Sequence, residues 1–142
     1  MCKKKIIVIA SYSESLINFR GHLLKSLILK GYNVVACAPD NNKRVIEKLG
    51  SMGVSYRKLY MVRQRFNPLD DLYTLFSIIK IINIEKPSIM LAYTIKPVIY
   101  GSIAAYATGL KRIYSMITGL GYSLYNETIH QKIIGIIVRT LY

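Results

Sequence analysis

Tryptophan is absent from the 142 residues, cysteine and histidine each occur twice, and proline occurs four times. Each scarcity excludes something. Cys2 stands at the terminus and Cys37 inside an apolar run at residues 34–38. Two such thiols build neither a disulfide framework nor a zinc site, so a reducing, cytoplasmic setting is expected. Neither His22 nor His130 has a metal-ligand partner three or four residues after it, and no metal centre is expected. No Ser-His-Asp or Cys-His set can be assembled. Acidic residues are the scarcest charge: 7 Asp and Glu against 20 Lys and Arg, a net charge of +13. Such a balance implies an anionic neighbour, whether nucleic acid, an acidic bilayer or a phosphorylated substrate.

Long uninterrupted apolar runs are missing too. Lys80 breaks one stretch, and Gly101 with Ser102 breaks another, so no segment is expected to span a bilayer. The basic triplet Lys3-Lys4-Lys5 precedes an apolar run at residues 6–10 that is too short for a signal peptide. Any membrane contact is therefore expected to be peripheral, at the inner face of the plasma membrane.

What is present is a strict alternation of strand and helix patterns. Residues 5–10 are a continuous β-branched run, as for a strand buried on both faces. Residues 16–30 carry Leu16, Phe19, Leu23, Leu24, Leu27 and Ile28 at helical spacing, and Gly31 ends that helix. Strands are expected at residues 33–38, 54–59, 88–92 and 112–117. Helices are expected at residues 43–52, from Pro68 to about Glu85, from Pro97 to Gly109, and at 127–142. Asp70 and Asp71 stand in the first turn of the helix that Pro68 starts, where the macrodipole favours them. The last helix is apolar around nearly its whole circumference, which predicts a covering partner. The order β-α-β-α-β-α-β-α-β-loop-α predicts one α/β domain: a Rossmann-like, doubly wound parallel sheet with helices on both faces.

Ligands bind such sheets at the carboxyl ends of the strands, so the loops there are the candidate site. The first reads Ser11-Tyr12-Ser13-Glu14-Ser15, with Asn18, Arg20 and His22 just beyond. It is neither a dinucleotide fingerprint nor a Walker A loop. Its serines fit helix capping, and Arg20 fits either a solvated surface or a fork onto phosphate. Arg63, Arg65 and Asn67 follow the third strand, as a solvated basic loop or a grip on diphosphate. The fourth strand is followed by Tyr93-Thr94-Ile95-Lys96-Pro97. Lys96 beside a helix N-terminus places charge where folding does not need it, which favours an anion contact. Tyr93 and Thr94 serve either packing and capping or the site. Thr118-Gly119-Leu120-Gly121-Tyr122 follows the fifth strand, and two glycines in three residues allow close backbone approach to a ligand.

Four of these segments together resemble the N-terminal half of family 4 glycosyltransferases. They are Asn18-Phe19-Arg20-Gly21-His22, Asn67-Pro68-Leu69, Thr94-Ile95-Lys96-Pro97-Val98-Ile99-Tyr100-Gly101, and Ile117-Thr118-Gly119-Leu120-Gly121-Tyr122. The likeness extends over essentially the whole chain. It is narrowest for bacterial enzymes that extend sugars on undecaprenyl diphosphate, N-acetylgalactosaminyltransferases among them.

The resemblance implies a GT-B architecture, in which an N-terminal acceptor domain faces a C-terminal domain that holds the nucleotide-sugar. It implies a retaining, metal-independent hexosyl or N-acetylhexosaminyl transfer from a UDP-sugar to a lipid-linked saccharide in glycan biosynthesis. The chain would be the acceptor half, inactive alone, lacking the donor-binding domain and needing no cofactor of its own. The acceptor contacts implied are Ser13, Asn18, Arg20, His22, Arg63, Asn67, Tyr93, Thr94, Thr118, Gly119, Gly121 and Tyr122. Lys96 is the candidate catalytic contact to phosphate. Many relatives place a His after the fourth strand; this chain has none there. Two other readings stand beside this one. The first is a non-catalytic subunit that presents acceptor to a separate donor-binding chain. The second is a basic nucleic-acid module, against which stands the absence of any nucleic-acid motif.

Overall fold

The computed structural model describes residues 3–63 and 67–118. The five strands are β1 (Lys5–Ile9), β2 (Asn33–Ala38), β3 (Ser55–Lys58), β4 (Ile89–Tyr93) and β5 (Ile113–Met116). The helices between them are α1 (Glu14–Asn18), α2 (Gly21–Leu29), α3 (Lys43–Ser51), α4 (Pro68–Glu85) and α5 (Ile95–Ala107). All strand pairs are parallel, in the order β3-β2-β1-β4-β5. The expected doubly wound sheet is therefore present. The helix expected at residues 127–142 lies outside the described residues.

Alternation along β1 divides the core. Ile7 and Ile9 point to one face, where Ile78, Ile81 and Ile82 of α4 and Val98, Ala104 and Ala105 of α5 cover them. Ile6 and Val8 point to the other, against Leu16, Leu24, Val45 and Leu49 of α1, α2 and α3. Both faces of β1 are thus buried, which is why its sequence is a continuous apolar run rather than an alternating one.

Two boundaries differ from expectation. The helix expected over residues 16–30 is split: α1 stops at Asn18 and α2 starts at Gly21. The Arg20 backbone leaves helical geometry, with φ −123° and ψ 1°. Its guanidinium Nη1 donates to the Phe19 carbonyl at 3.1 Å, satisfying an acceptor freed at the break. Secondly, β4 runs one residue further and α5 starts two residues earlier than their patterns suggest. The expected five-residue loop shrinks to Thr94 alone, and Lys96 and Pro97 stand in the first turn of α5.

Gly101 lets α5 lie close on β4. A Cβ there would stand 3.3 Å from the terminal carbon of Met90 and 3.6 Å from Cβ of Ala92.

Candidate functional site

The strand order reverses between β1 and β4. The chain leaving β1 turns to the α1–α3 face, and the chain leaving β4 turns to the α4–α5 face. A crevice opens between such diverging connections, and this is where open α/β sheets take ligands.

Two hydroxyls bridge the two sides of this switch point. Tyr93 Oη and Ser15 Oγ are 2.8 Å apart, and Ser15 Oγ donates to the Tyr12 carbonyl at 2.7 Å. Ser15 has one hydroxyl hydrogen, committed to Tyr12, so Tyr93 is the donor between the two. Burial pushes the Tyr93 phenol up to about 12, against the opposing pull of the Arg20 charge. Tyr93 is therefore neutral at ordinary pH: a positioned donor and ring, not a base.

Arg20 lies over that ring, with Cζ 5.1 Å from the centroid, a cation–π contact. The helix break makes this possible, because it turns residue 20 out of the helical register and toward β4. Across the same edge, Arg63 Cζ lies 4.3 Å from the Tyr12 ring centroid. Two guanidiniums thus stand on two tyrosines at the carboxyl ends of β1 and β4.

Two buried polar atoms here have no protein partner: Arg20 Nε and Thr94 Oγ1. Buried polar groups are normally satisfied, and those that are not call for an explanation. Thr94 is unusual in a second way. Its backbone has φ 69° and ψ 157°, a region that essentially only glycine enters freely. A β-branched residue is held there at the start of α5, beside Tyr93.

The β1–α1 turn is fixed from below. Ser13 is fully buried, and both its N–H and its hydroxyl donate to the carboxylate of Asp40, the N–H at 2.8 Å. In a dinucleotide-binding sheet the acid after β2 holds a ribose; here Asp40 holds the loop. Ser13 is thus a positioning residue rather than a group exposed to ligand.

Lys96 requires a correction. It was expected to be dispensable for folding, yet it is 4% exposed, and its Nζ donates to the Val62 carbonyl at 2.7 Å and to Asp71 Oδ1 at 3.0 Å. It is a buried ion pair joining the first turns of α5 and α4. Asp71 also accepts from Tyr100, whose phenol is pushed up by burial and by that carboxylate.

The other expected contacts scatter. Asn67 caps α4, accepting from the Leu69 N–H at 3.2 Å. Asn18 and His22 are exposed on α1 and α2, and Thr118 is exposed after β5. Gly119, Gly121, Tyr122 and Arg65 lie outside the described residues. Among the described residues no His, Cys, Asp and Glu group is placed to hold a metal ion. Tyr12 is no site residue by sequence pattern and Ser15 fits a cap there; the signal for both is position alone, two hydroxyls in the loop after β1.

The sequence matches the family model described as glycosyl transferase 4-like over residues 5–141. The chain belongs to the glycosyl transferase 4-like family. No curated protein sequence matches it. Among solved structures, it is similar to MurG of Acinetobacter baumannii, with TM-score 0.61 and 16% identity over 79% of this chain and 35% of that one. A glycosyltransferase of Rickettsia africae ESF-5 gives TM-score 0.60 and 16% identity, covering 91% of this chain and 35% of that one. A UDP-N-acetylglucosamine 2-epimerase gives 0.61 and 18%, covering 95% and 40%. At these identities the likeness concerns the fold, which is that of the N-terminal domain of a GT-B enzyme. This family member spans 35–40% of the length of those structures.

Proposed function

We propose that this domain is the acceptor-binding half of a retaining glycosyltransferase. The whole enzyme would pass a hexose or N-acetylhexosamine from a nucleotide-sugar to a saccharide on a polyprenyl diphosphate, at the cytoplasmic face of the membrane. The observation that carries the reading is the pair of buried, unpartnered donors, Arg20 Nε and Thr94 Oγ1, at the switch point. An acceptor diphosphate would satisfy both, with the Arg20 charge opposite its oxygens. The part-exposed Tyr12 ring, under Arg63, offers an apolar face beside a hydroxyl, as sugars require, while the fully buried Tyr93 holds Arg20 over its ring. Family membership supports glycosyl transfer as the chemistry. Transfer needs donor and acceptor held together, so the 142 residues alone are expected to turn over no UDP-sugar.

Within this reading Lys96 acts by position. Its ammonium is committed to Asp71 and Val62, and it anchors the turn that presents Tyr93 and Thr94.

The experiment is a calorimetric titration of the 142-residue chain with a short-chain prenyl diphosphate sugar. Arg20→Ala should weaken binding about tenfold to a hundredfold, the loss of one charge-assisted hydrogen bond. Unchanged affinity in Arg20→Ala, with the fold intact by circular dichroism, would remove the switch point as the diphosphate site.

A further inference from the structure

Helix α4 is apolar on two faces. Thr74, Ile78, Ile81 and Ile82 face the sheet. On the opposite side Leu69, Leu72, Tyr73, Phe76 and Ile84 are exposed, with Tyr73 63% and Phe76 58% accessible. Spacings of three and four residues put Leu69, Leu72, Tyr73 and Phe76 on one stripe. Tyr60, which follows β3, extends it: Tyr60, Tyr73, Phe76, Ser77 and Lys80 line an open groove of about 430 Å³. Contiguous apolar surface of this kind marks an interaction face.

The charge around the stripe identifies the partner. α4 contains three acids, and each is committed within the fold. Asp70 accepts from the Tyr60 hydroxyl at 2.8 Å. Asp71 is paired with Lys96. Glu85 is paired with Lys5 and Arg57. Asp71 and Glu85 are thus neutralised by cations, Asp70 keeps its charge at the N-terminal end of the stripe beside Tyr60, and Lys80 stands further along among aromatic and aliphatic groups, on a chain of net charge +13. That charge opposes a second copy of the same chain. Leu, Phe and Tyr with Lys at the rim are the groups that settle at the boundary of acyl chains and headgroups.

We infer that the outer face of α4 docks on an anionic lipid bilayer, with Leu72, Tyr73 and Phe76 at acyl-chain depth and Lys80 among the headgroups. No helix among the described residues is long and apolar enough to cross a membrane, so the contact is in the plane of the surface. The inference rests on the membrane part of the proposed function and names the face that part uses. α4 begins at the carboxyl edge of the sheet, and Asp71 in its first turn is bonded to Lys96 in the first turn of α5, two residues from Thr94. The docked face and the switch point thus share one edge, which brings a lipid-tethered ligand within reach.

The absence of tryptophan makes the test direct. A Phe76→Trp chain is mixed with vesicles of phosphatidylglycerol and phosphatidylcholine carrying brominated acyl chains. Its emission should shift to the blue and be quenched. Leu29→Trp, equally apolar and 78% exposed on α2 at the other face of the sheet, should be neither shifted nor quenched. Separately, Tyr73→Glu with Phe76→Glu should reduce co-sedimentation with unbrominated anionic vesicles at least tenfold, and Leu29→Glu should leave it unchanged. An unquenched Phe76→Trp emission overturns the inference. So does vesicle binding that survives the double glutamate variant. So does a stripe variant that alters only the oligomer mass by light scattering, which would mean a protein covers the stripe. The vesicles contain no polyprenyl lipid and the Arg20 titration contains no bilayer, so the two readings fail separately.

Discussion

Lys96 Nζ lies 3.0 Å from Asp71 Oδ1, and the lysine is almost wholly buried. This pair joins two helices that pack on the same face of the sheet, and it fixes the turn carrying Thr94. Breaking a buried pair by removing one partner leaves the other charge uncompensated, at a cost of roughly 3–5 kcal/mol. Lys96→Ala should therefore destabilise the domain by about that amount in urea denaturation. Lys96→Met with Asp71→Leu should recover more than half of it, because no charge is then stranded. A Lys96→Ala loss below about 1 kcal/mol, the range of an exposed pair, would show that the pair does not hold the helices together.

Thr94 carries a strained backbone and an unpartnered hydroxyl. Thr94→Gly relieves the strain, and it should raise stability by about 1 kcal/mol, the low end of the usual cost, after glycine's entropy is allowed for. The same change removes Oγ1 and should weaken prenyl diphosphate binding. A glycine variant that gains stability and keeps full affinity would locate the strain outside the ligand contact.

Glu85 contributes stability that acid removes. Burial raises its pKa, but hydrogen bonds from Arg57 at 2.6 Å and Lys5 at 3.0 Å outweigh burial and hold the carboxyl below its ordinary 4.5. The folded state then binds this proton less readily than the unfolded state. The stabilisation is fully present above about pH 4.5 and is lost as pH falls through the lowered folded value. Glu85→Gln should reduce stability at pH 7 and flatten the decline below pH 4.5. Equal slopes for the two proteins in acid would assign that decline to other carboxylates.

Gly101 meets Met90 and Ala92. Gly101→Ala should cost little, because the end of the Met90 side chain can move and alanine favours the helix. Gly101→Val adds bulk that must push α5 from β4, and it should cost roughly 1–3 kcal/mol. Denaturation midpoints for the two variants check the difference.

Local pattern was enough to determine much of this protein. A buried parallel strand announces itself by an unbroken apolar run, as residues 6–9 do. Pro68 and the acids after it mark the start of α4 without reference to anything distant. The alternation of the two periods sets the parallel, doubly wound sheet, and with it the edge at which such sheets take ligands. Tertiary structure decided what the polar side chains do there. Lys96 reads as spare charge beside a helix start; it is a buried partner of Asp71, 25 residues earlier in sequence. Ser13 reads as a cap, yet Asp40 takes both of its donors. The stripe at residues 16–30 reads as one helix, because apolar spacing does not register a break that turns Arg20 onto Tyr93. The outer stripe of α4 is visible as letters, but its exposure depends on which face the sheet takes. Strand and helix periods are short-range properties of the chain. Pairing, burial and exposure are set by which elements meet, and those contacts form only when the sheet brings distant segments side by side.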